Sequence, residues 1–282
     1  VFFLVRPMFT GDRPVDPVLL RLGPLQVRWY GFLIAFSFIP GFRLAAAEAR
    51  RKGINPDLLY DFGFVAGVSG FVGARLAYVV QNLRQFLAEP ARIVAVWEGG
   101  LSMHGVIIGG LLATAYFARK IHVPFFIFAD VVIPALPLGQ ALGRWGNFFN
   151  QELFGYPTSV PWKMYVAPQY RPPEWAAEAY FHPTFLYESL WNLATLGLLL
   201  WYRRLPAARE GDVLFLYLAF YSLGRFWVEF FRIGTPVAAG LTLAQLVSLL
   251  IIAASGLWLM FRNRQPLKNP QGAPPSPRPG RV

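Results

Sequence analysis

Residues 58–80 read LLYDFGFVAGVSGFVGARLAYVV, with Asp61 and Arg75 as the only charges. A hydrocarbon core about 30 Å thick is crossed by roughly 20 residues of helix. Backbone in lipid must also satisfy its own polar groups, which a helix does internally. The stretch reads as a membrane-spanning helix. Six more apolar segments flank it, at 28–47, 101–118, 123–142, 184–202, 213–231 and 241–261. The expected fold is an all-α integral membrane protein, a bundle of seven transmembrane helices with its termini on opposite sides.

Composition agrees with this reading. Of 282 residues, 55% are hydrophobic and 15% charged, and the mean hydropathy is +0.42. The net charge of +11 would suggest nucleic acid on a soluble protein, but basic loops orient membrane proteins and meet anionic headgroups. No nucleic-acid partner is expected; membrane lipid is. With no cysteine, the chain has no disulfide framework, thiolate metal site or thiol nucleophile of its own, so any reacting thiol comes from a substrate. Pro7, Pro14 and Pro17 break up the N-terminus, and no removable signal peptide is expected there.

Lysine and arginine at the span ends set the orientation. Arg50, Arg51 and Lys52, Arg119 and Lys120, Arg203, Arg204 and Arg209, and the residues from Arg262 onward fall on one side. That side reads as cytoplasmic, with the N-terminus outside and the C-terminus inside. The stretch 144–183 is rich in Trp, Tyr and Pro, which suits a periplasmic cap at headgroup level. Residues 1–261 form a single transmembrane domain in this reading. The basic, proline-rich 262–282 reads as a disordered cytoplasmic tail.

Charges inside spans are costly and mark function or pairing. Arg43, Asp61, Arg75, Asp130, Glu188, Arg225 and Glu229 are the candidates. In the N-out threading, Tyr30, Arg75, Tyr78, His104, Arg144, His182, Glu188, Arg225 and Glu229 all fall at the outer end, and the clustering of two histidines and three arginines at one depth is a sign of a site there independent of the loop charges. Arginines beside histidines and amides suit a phosphate ester whose acyl chains lie in the bilayer. Arg225 and Glu229, at i and i+4, could instead pair with each other on one helix face.

Other motifs are weaker. The pairs Gly63/Gly67, Gly105/Gly109 and Gly139/Gly143 suggest helix packing. His122 reads as structural, and His182, before Pro183, as a loop anchor. Gly67-Val68-Ser69-Gly70 has the form of an intramembrane protease nucleophile, but Ser69 lies at mid-span and the histidines do not. There is no zinc-binding helix motif and no acidic cluster for magnesium, so a metal-free, cofactor-free reaction is expected. A transporter using Arg43, Asp61 and Asp130 as an ion path would call for inverted repeats, and none is found. A lipid-binding scaffold without catalysis is the remaining alternative.

The densest stretch is Gly143-Arg144-Trp145-Gly146-Asn147-Phe148-Phe149-Asn150-Gln151-Glu152-Leu153-Phe154-Gly155. It resembles the signature of the bacterial prolipoprotein diacylglyceryl transferase family, G-R-x-G-N-F-x-N-x-E-x-x-G, and matches every fixed position. Further family-like elements are Arg28-Trp29-Tyr30-Gly31, Gly73-Ala74-Arg75, residues 99–105, His182-Pro183 with Leu186-Tyr187-Glu188, and residues 225–232. The resemblance covers about 28–260. Met103 stands where the family usually has an aromatic, and Phe185 where a glutamine is common.

The resemblance implies transfer of the diacylglyceryl group of phosphatidylglycerol to the lipobox cysteine in the signal peptide of a preprolipoprotein, with release of glycerol phosphate. It implies a site in the outer leaflet of the bacterial inner membrane. His104 is the expected base or relay, since a thiol of pKa about 8.5 must lose its proton to attack. Arg144 and Arg225 are expected to stabilise the leaving phosphate, with Asn147 donating and Tyr30 positioning. Glu152 and Glu229 are expected to orient these arginines, Gly155 to admit the lipid closely, and Arg75 to hold the glycerol headgroup.

Overall fold

The structure, a computed structural model, describes residues 15–23 and 25–263. The N-terminal segment in which no signal peptide is expected lies mostly outside them. So does most of the expected tail, although Arg262 and Asn263 still belong to the last helix. A hairpin of β1 (Val18–Leu22) and β2 (Leu25–Arg28) leads into α1 (Trp29–Arg51). Then follow α2 (Leu58–Gln81), the short α3 (Leu83–Ala88), α4 (Met103–Lys120), α5 (Phe125–Val132) and α6 (Ala135–Asn150). A second hairpin, β3 (Met164–Tyr165) with β4 (Tyr180–Phe181), precedes α7 (Thr184–Tyr202), α8 (Asp212–Val228) and α9 (Leu243–Asn263).

Five helical stretches among the described residues are long and apolar enough to cross a membrane: Trp29–Arg51, Leu58–Gln81, Phe125–Asn150, Asp212–Phe231 and Leu243–Arg262. The chain is an all-helical, multi-pass membrane protein. The other two expected spans are helices of 18 and 19 residues, α4 and α7. His104 on α4, and Glu188 and Asn192 on α7, dilute their apolar character.

Two boundaries differ from the sequence reading. The segment 123–142 belongs to one spanning stretch, Phe125–Asn150, interrupted at Ile133–Pro134 between α5 and α6, because proline has no N–H for the preceding turn. Helix α6 also runs on through Arg144 to Asn150, so the first half of the signature is helical rather than part of a cap. It stops at Gln151, whose backbone is left-handed at φ 52°.

Neighbouring helices run antiparallel, which gives the bundle two ends. At one end Ala45, Ala49, Leu59, Phe117, Phe128 and Val131 form a buried apolar cluster. Beside it buried Glu48 takes Arg51 and Arg203. Asp130 accepts the amide N–H of Gly211 (2.7 Å) and of Leu214 (3.1 Å), with Lys52 3.7 Å away. A carboxylate so tied to backbone is a staple for the start of α8, not a step on an ion path.

At the other end Trp29 stacks on Phe149 (4.6 Å between centroids), and Phe148 meets Phe185 (4.9 Å). Residues 151–183 fold over this end around Met164, Val166 and Phe181, all buried. Of the three glycine pairs, Gly105 and Gly109 pack directly on the backbone of α2 at Gly73 and Ser69. Gly139 and Gly143 face Ser37 and Ile34 of α1, whereas Gly63 and Gly67 have nothing within contact of an added Cβ. The Ser69 hydroxyl donates to the Val65 carbonyl one turn back.

Candidate active site

Three arginines converge on two carboxylates where the ends of α6, α7 and α8 meet. Arg144, in the penultimate turn of α6, pairs through Nε with Glu188 on the first turns of α7. Arg225, near the end of α8, reaches Glu188 (3.4 Å) and Glu229 (2.8 Å). Arg232, just past α8, reaches Glu188 (3.2 Å) and lies 3.9 Å from Glu229. Glu188 and Glu229 are nearly buried, and the arginines keep 15–22% of their side-chain surface. Three guanidiniums thus meet on two nearly buried carboxylates, and the exposed Glu152 is joined to them through Asn147.

Neutral groups steer this cluster. Arg144 Nη1 lies 3.4 Å from Asn147 Oδ1, and Asn147 Nδ2 donates to Glu152 (2.8 Å). Glu152 also accepts from Asn150 (3.2 Å). Arg144, Asn147 and Glu152 thus form a relay along one face of α6 and its exit turn, the geometric content of the signature. Glu229 accepts from the Thr242 hydroxyl (3.0 Å). Tyr30, the second residue of α1, packs on Gly146, where an added Cβ would run into its ring and backbone.

Gly155 has no room for a side chain either. A Cβ there would meet the Phe231 carbonyl, and it bridges Arg232 in an isolated antiparallel pair. Its place is to let the segment 151–183 approach the end of α8, which sets the position of Arg232. His182 shares a 3.0 Å hydrogen bond with the Tyr187 hydroxyl, which accepts from Trp162 Nε1 (2.9 Å). Burial holds the His182 pKa below the usual histidine value, because desolvation disfavours the charged imidazolium.

The structure brings Arg144, Asn147, Glu152, Arg225 and Glu229 together, with Tyr30 and Gly155 at the margin. It does not bring Arg75. That side chain is buried, and all five guanidinium donors go to backbone carbonyls: Nε to Ile93 (2.8 Å), Nη1 to Gly99 (2.7 Å) and Gly100 (3.0 Å), Nη2 to Arg92 (2.5 Å) and Ala95 (3.2 Å). A saturated guanidinium has no donor left for a lipid headgroup. The expected headgroup role gives way to a clamp on the loop 92–100, which turns at left-handed Gly99 and Gly100 (φ 87° and 79°).

His104 stands apart in a different way. It is exposed in the first turn of α4 and makes no hydrogen bond or ion pair with any described residue. The clamped loop leads into it, with Ser102 N donating to the Ala74 carbonyl (3.0 Å) and Gln81 to the Ser102 hydroxyl (3.0 Å). Among the described residues no three His, Asp or Glu side chains gather as metal ligands would.

Two members of the cluster were missed as site residues. Glu188 was visible only as one of several charges in spans, and Arg232 only as the last residue of a family-like run. The useful signal for Arg232 is its position three residues beyond Glu229, on the helix face that already carries Arg225.

Comparison with known proteins gives the same picture. A profile of the family described as prolipoprotein diacylglyceryl transferase matches residues 17–262. The phosphatidylglycerol–prolipoprotein diacylglyceryl transferase of Trichormus variabilis is 44% identical over 265 residues, which covers 92% of this chain and 94% of the relative. That of Nostoc sp. is 46% identical over 256 residues, with 88% and 90% covered. That of Gloeobacter violaceus is 44% identical over 260 residues, with 91% and 97% covered. With the family profile matching residues 17–262 and relatives 44–46% identical over most of the chain, the chain belongs to the prolipoprotein diacylglyceryl transferase family.

Proposed function

We propose that this protein transfers the diacylglyceryl group of phosphatidylglycerol to the thiol of a lipobox cysteine in a preprolipoprotein signal peptide. The names of its relatives give both substrates. The observation that carries the chemistry is the convergence of three arginines at a bundle end, where their guanidiniums keep part of their surface open. The thiolate sulfur attacks the glycerol carbon that bears the phosphate. The carbon–sulfur bond forms as the carbon–oxygen bond breaks, and glycerol phosphate leaves with the electron pair. His104, which has no hydrogen-bond or ion-pair partner among the described residues, takes the thiol proton. Charge grows on the leaving phosphate in the transition state, so preorganised guanidinium donors lower the barrier more than they strengthen binding.

The test is a purified preparation with labelled phosphatidylglycerol and a lipobox peptide. Label should pass to the cysteine peptide, not to one with serine in its place, and a chelator should leave the rate unchanged. Transfer to the serine peptide, or none to the cysteine peptide, refutes the reaction.

Arg225 provides a sharper check. Its two nitrogens serve two different carboxylates, which a single ammonium cannot do while also facing a phosphate. Arg225→Lys is expected to lower kcat and kcat/KM together by about 2.7–4 kcal/mol, the loss of one oxyanion donor. Near-wild-type turnover would reduce Arg225 to the i, i+4 partner of Glu229.

In the bilayer we place seven spans, with α4 and α7 joining the five longer stretches, the cap over the periplasmic face and the C-terminus in the cytoplasm. Residues 1–261 then make one catalytic domain and 262–282 a cytoplasmic tail. The chain has no cysteine, so labelling is free of background. Ser159→Cys should react with an impermeant thiol reagent from outside, and Glu210→Cys only after the membrane is opened. The reverse pattern overturns the orientation.

A further inference from the structure

At the bundle end opposite Tyr30 and the arginine cluster, α1 and α2 diverge and leave a lateral groove of about 560 Å³, lined by Phe38, Ile39, Phe42, Arg43, Arg50 and Tyr60. The size is that of a small-molecule site. Its floor is apolar, with Phe42 and Tyr60 in ring contact at 4.3 Å. Its charge is entirely positive. Arg43 and Arg50 stand seven residues apart, so they share one face of α1 about 10 Å apart along its axis.

Neither arginine has an acidic partner among the described residues, and both are exposed. The nearby acids are engaged elsewhere: Glu48 holds Arg51 and Arg203, and Asp130 holds Lys52 and two backbone amides. Asp61, on the facing helix, makes no ion pair with either. Arg50 is next to the last residue of α1, at headgroup depth, while Arg43 is almost two turns deeper. An unpaired guanidinium at that depth is costly unless an anion meets it or its long side chain reaches the interface.

We infer that this groove holds one anionic phospholipid from the leaflet opposite the transfer site. Its phosphate sits between Arg43 and Arg50, which bind phosphate oxygens as planar forks. One acyl chain runs along Ile39 and Phe38 toward the bilayer centre. The site runs from the middle of α1 to its C-terminal end, away from Tyr30 at its start, so its occupant is not the diacylglyceryl donor.

The test uses the full chain in detergent, titrated with phosphatidylserine and followed by native mass spectrometry, with phosphatidylcholine as the neutral control. Wild type should retain one phosphatidylserine in preference to phosphatidylcholine. Arg43→Gln/Arg50→Gln should weaken that binding roughly 30-fold, the effect of two basic residues at a membrane surface. Ile39→Trp fills the groove but keeps both charges, and should weaken binding as well. Diacylglyceryl transfer by these variants reports that the bundle is intact. Equal affinity for phosphatidylcholine, wild-type affinity in the double arginine variant, or wild-type affinity in Ile39→Trp each overturns the proposal.

Discussion

His104→Gln lowers kcat by about 10²–10⁴-fold, the usual contribution of a positioned general base, while phosphatidylglycerol binding stays near wild type. The reason for the split is geometric. The side chains that would grip phosphate lie on α6, α7 and α8 and in the turn after α8, whereas His104 opens α4 and contacts none of them. Removing the imidazole therefore removes proton acceptance without touching the cluster. Equilibrium binding of a labelled phosphatidylglycerol, measured beside single-turnover transfer, checks both halves. The rate should also recover partly at high pH, where the peptide thiol ionises unaided above its pKa of about 8.5. A variant that loses lipid binding and turnover alike would make His104 part of the lipid site instead.

Glu188→Ala is expected to destabilise the protein by about 3–5 kcal/mol, the cost of stripping one partner from a buried ion pair. Glu188 is nearly buried and receives Arg144, Arg225 and Arg232. Without it Arg144 loses its ion pair, and Arg225 and Arg232 keep only Glu229, so the guanidiniums repel each other in a low dielectric. A thermal unfolding curve in detergent reads the loss, and added anionic lipid should restore part of it by supplying the missing negative charge. Glu188→Gln keeps the shape and some hydrogen bonding, and should fall between the two. If Glu188→Ala unfolds at the wild-type temperature, the arginines are held by their lipid environment rather than by Glu188.

Hydropathy made most of the bundle legible, because spacing along one helix is a local property. The same holds for Arg225 with Glu229, one turn apart on α8 and paired at 2.8 Å. The signature run was legible as a motif, but not as the exit of a helix, since an apolar count stops at Arg144 while the backbone continues to Asn150. Pro134 was in plain view, and a reading of apolar length alone passed over it. Glu188 could not be read as the hub because its partners come from other helices, 44 residues earlier and 37 or 44 later in the chain. Arg75 misled for a related reason. A charge in a span signals a need for partners, and only the fold reveals that backbone carbonyls of the loop 92–100 supply every one.

The contact between α2 and α4 has a mechanical side. At Gly73, Gly105 and Gly109 the two helices meet backbone to backbone, with Ser69 and Ala74 completing the seam. Val106 seats against Gly70 on the same seam, so the two helices are closely locked and move as one plank. It carries His104 at its edge, together with the loop strapped to Arg75. The arginines ride on a second body, α6 to α8, to which α1 is broadly attached while touching α2 only sparsely. Compliance in the molecule is therefore concentrated along the line between α1 and α2. The separation of His104 from the arginine cluster is thereby set by how α1 and α2 lie against each other.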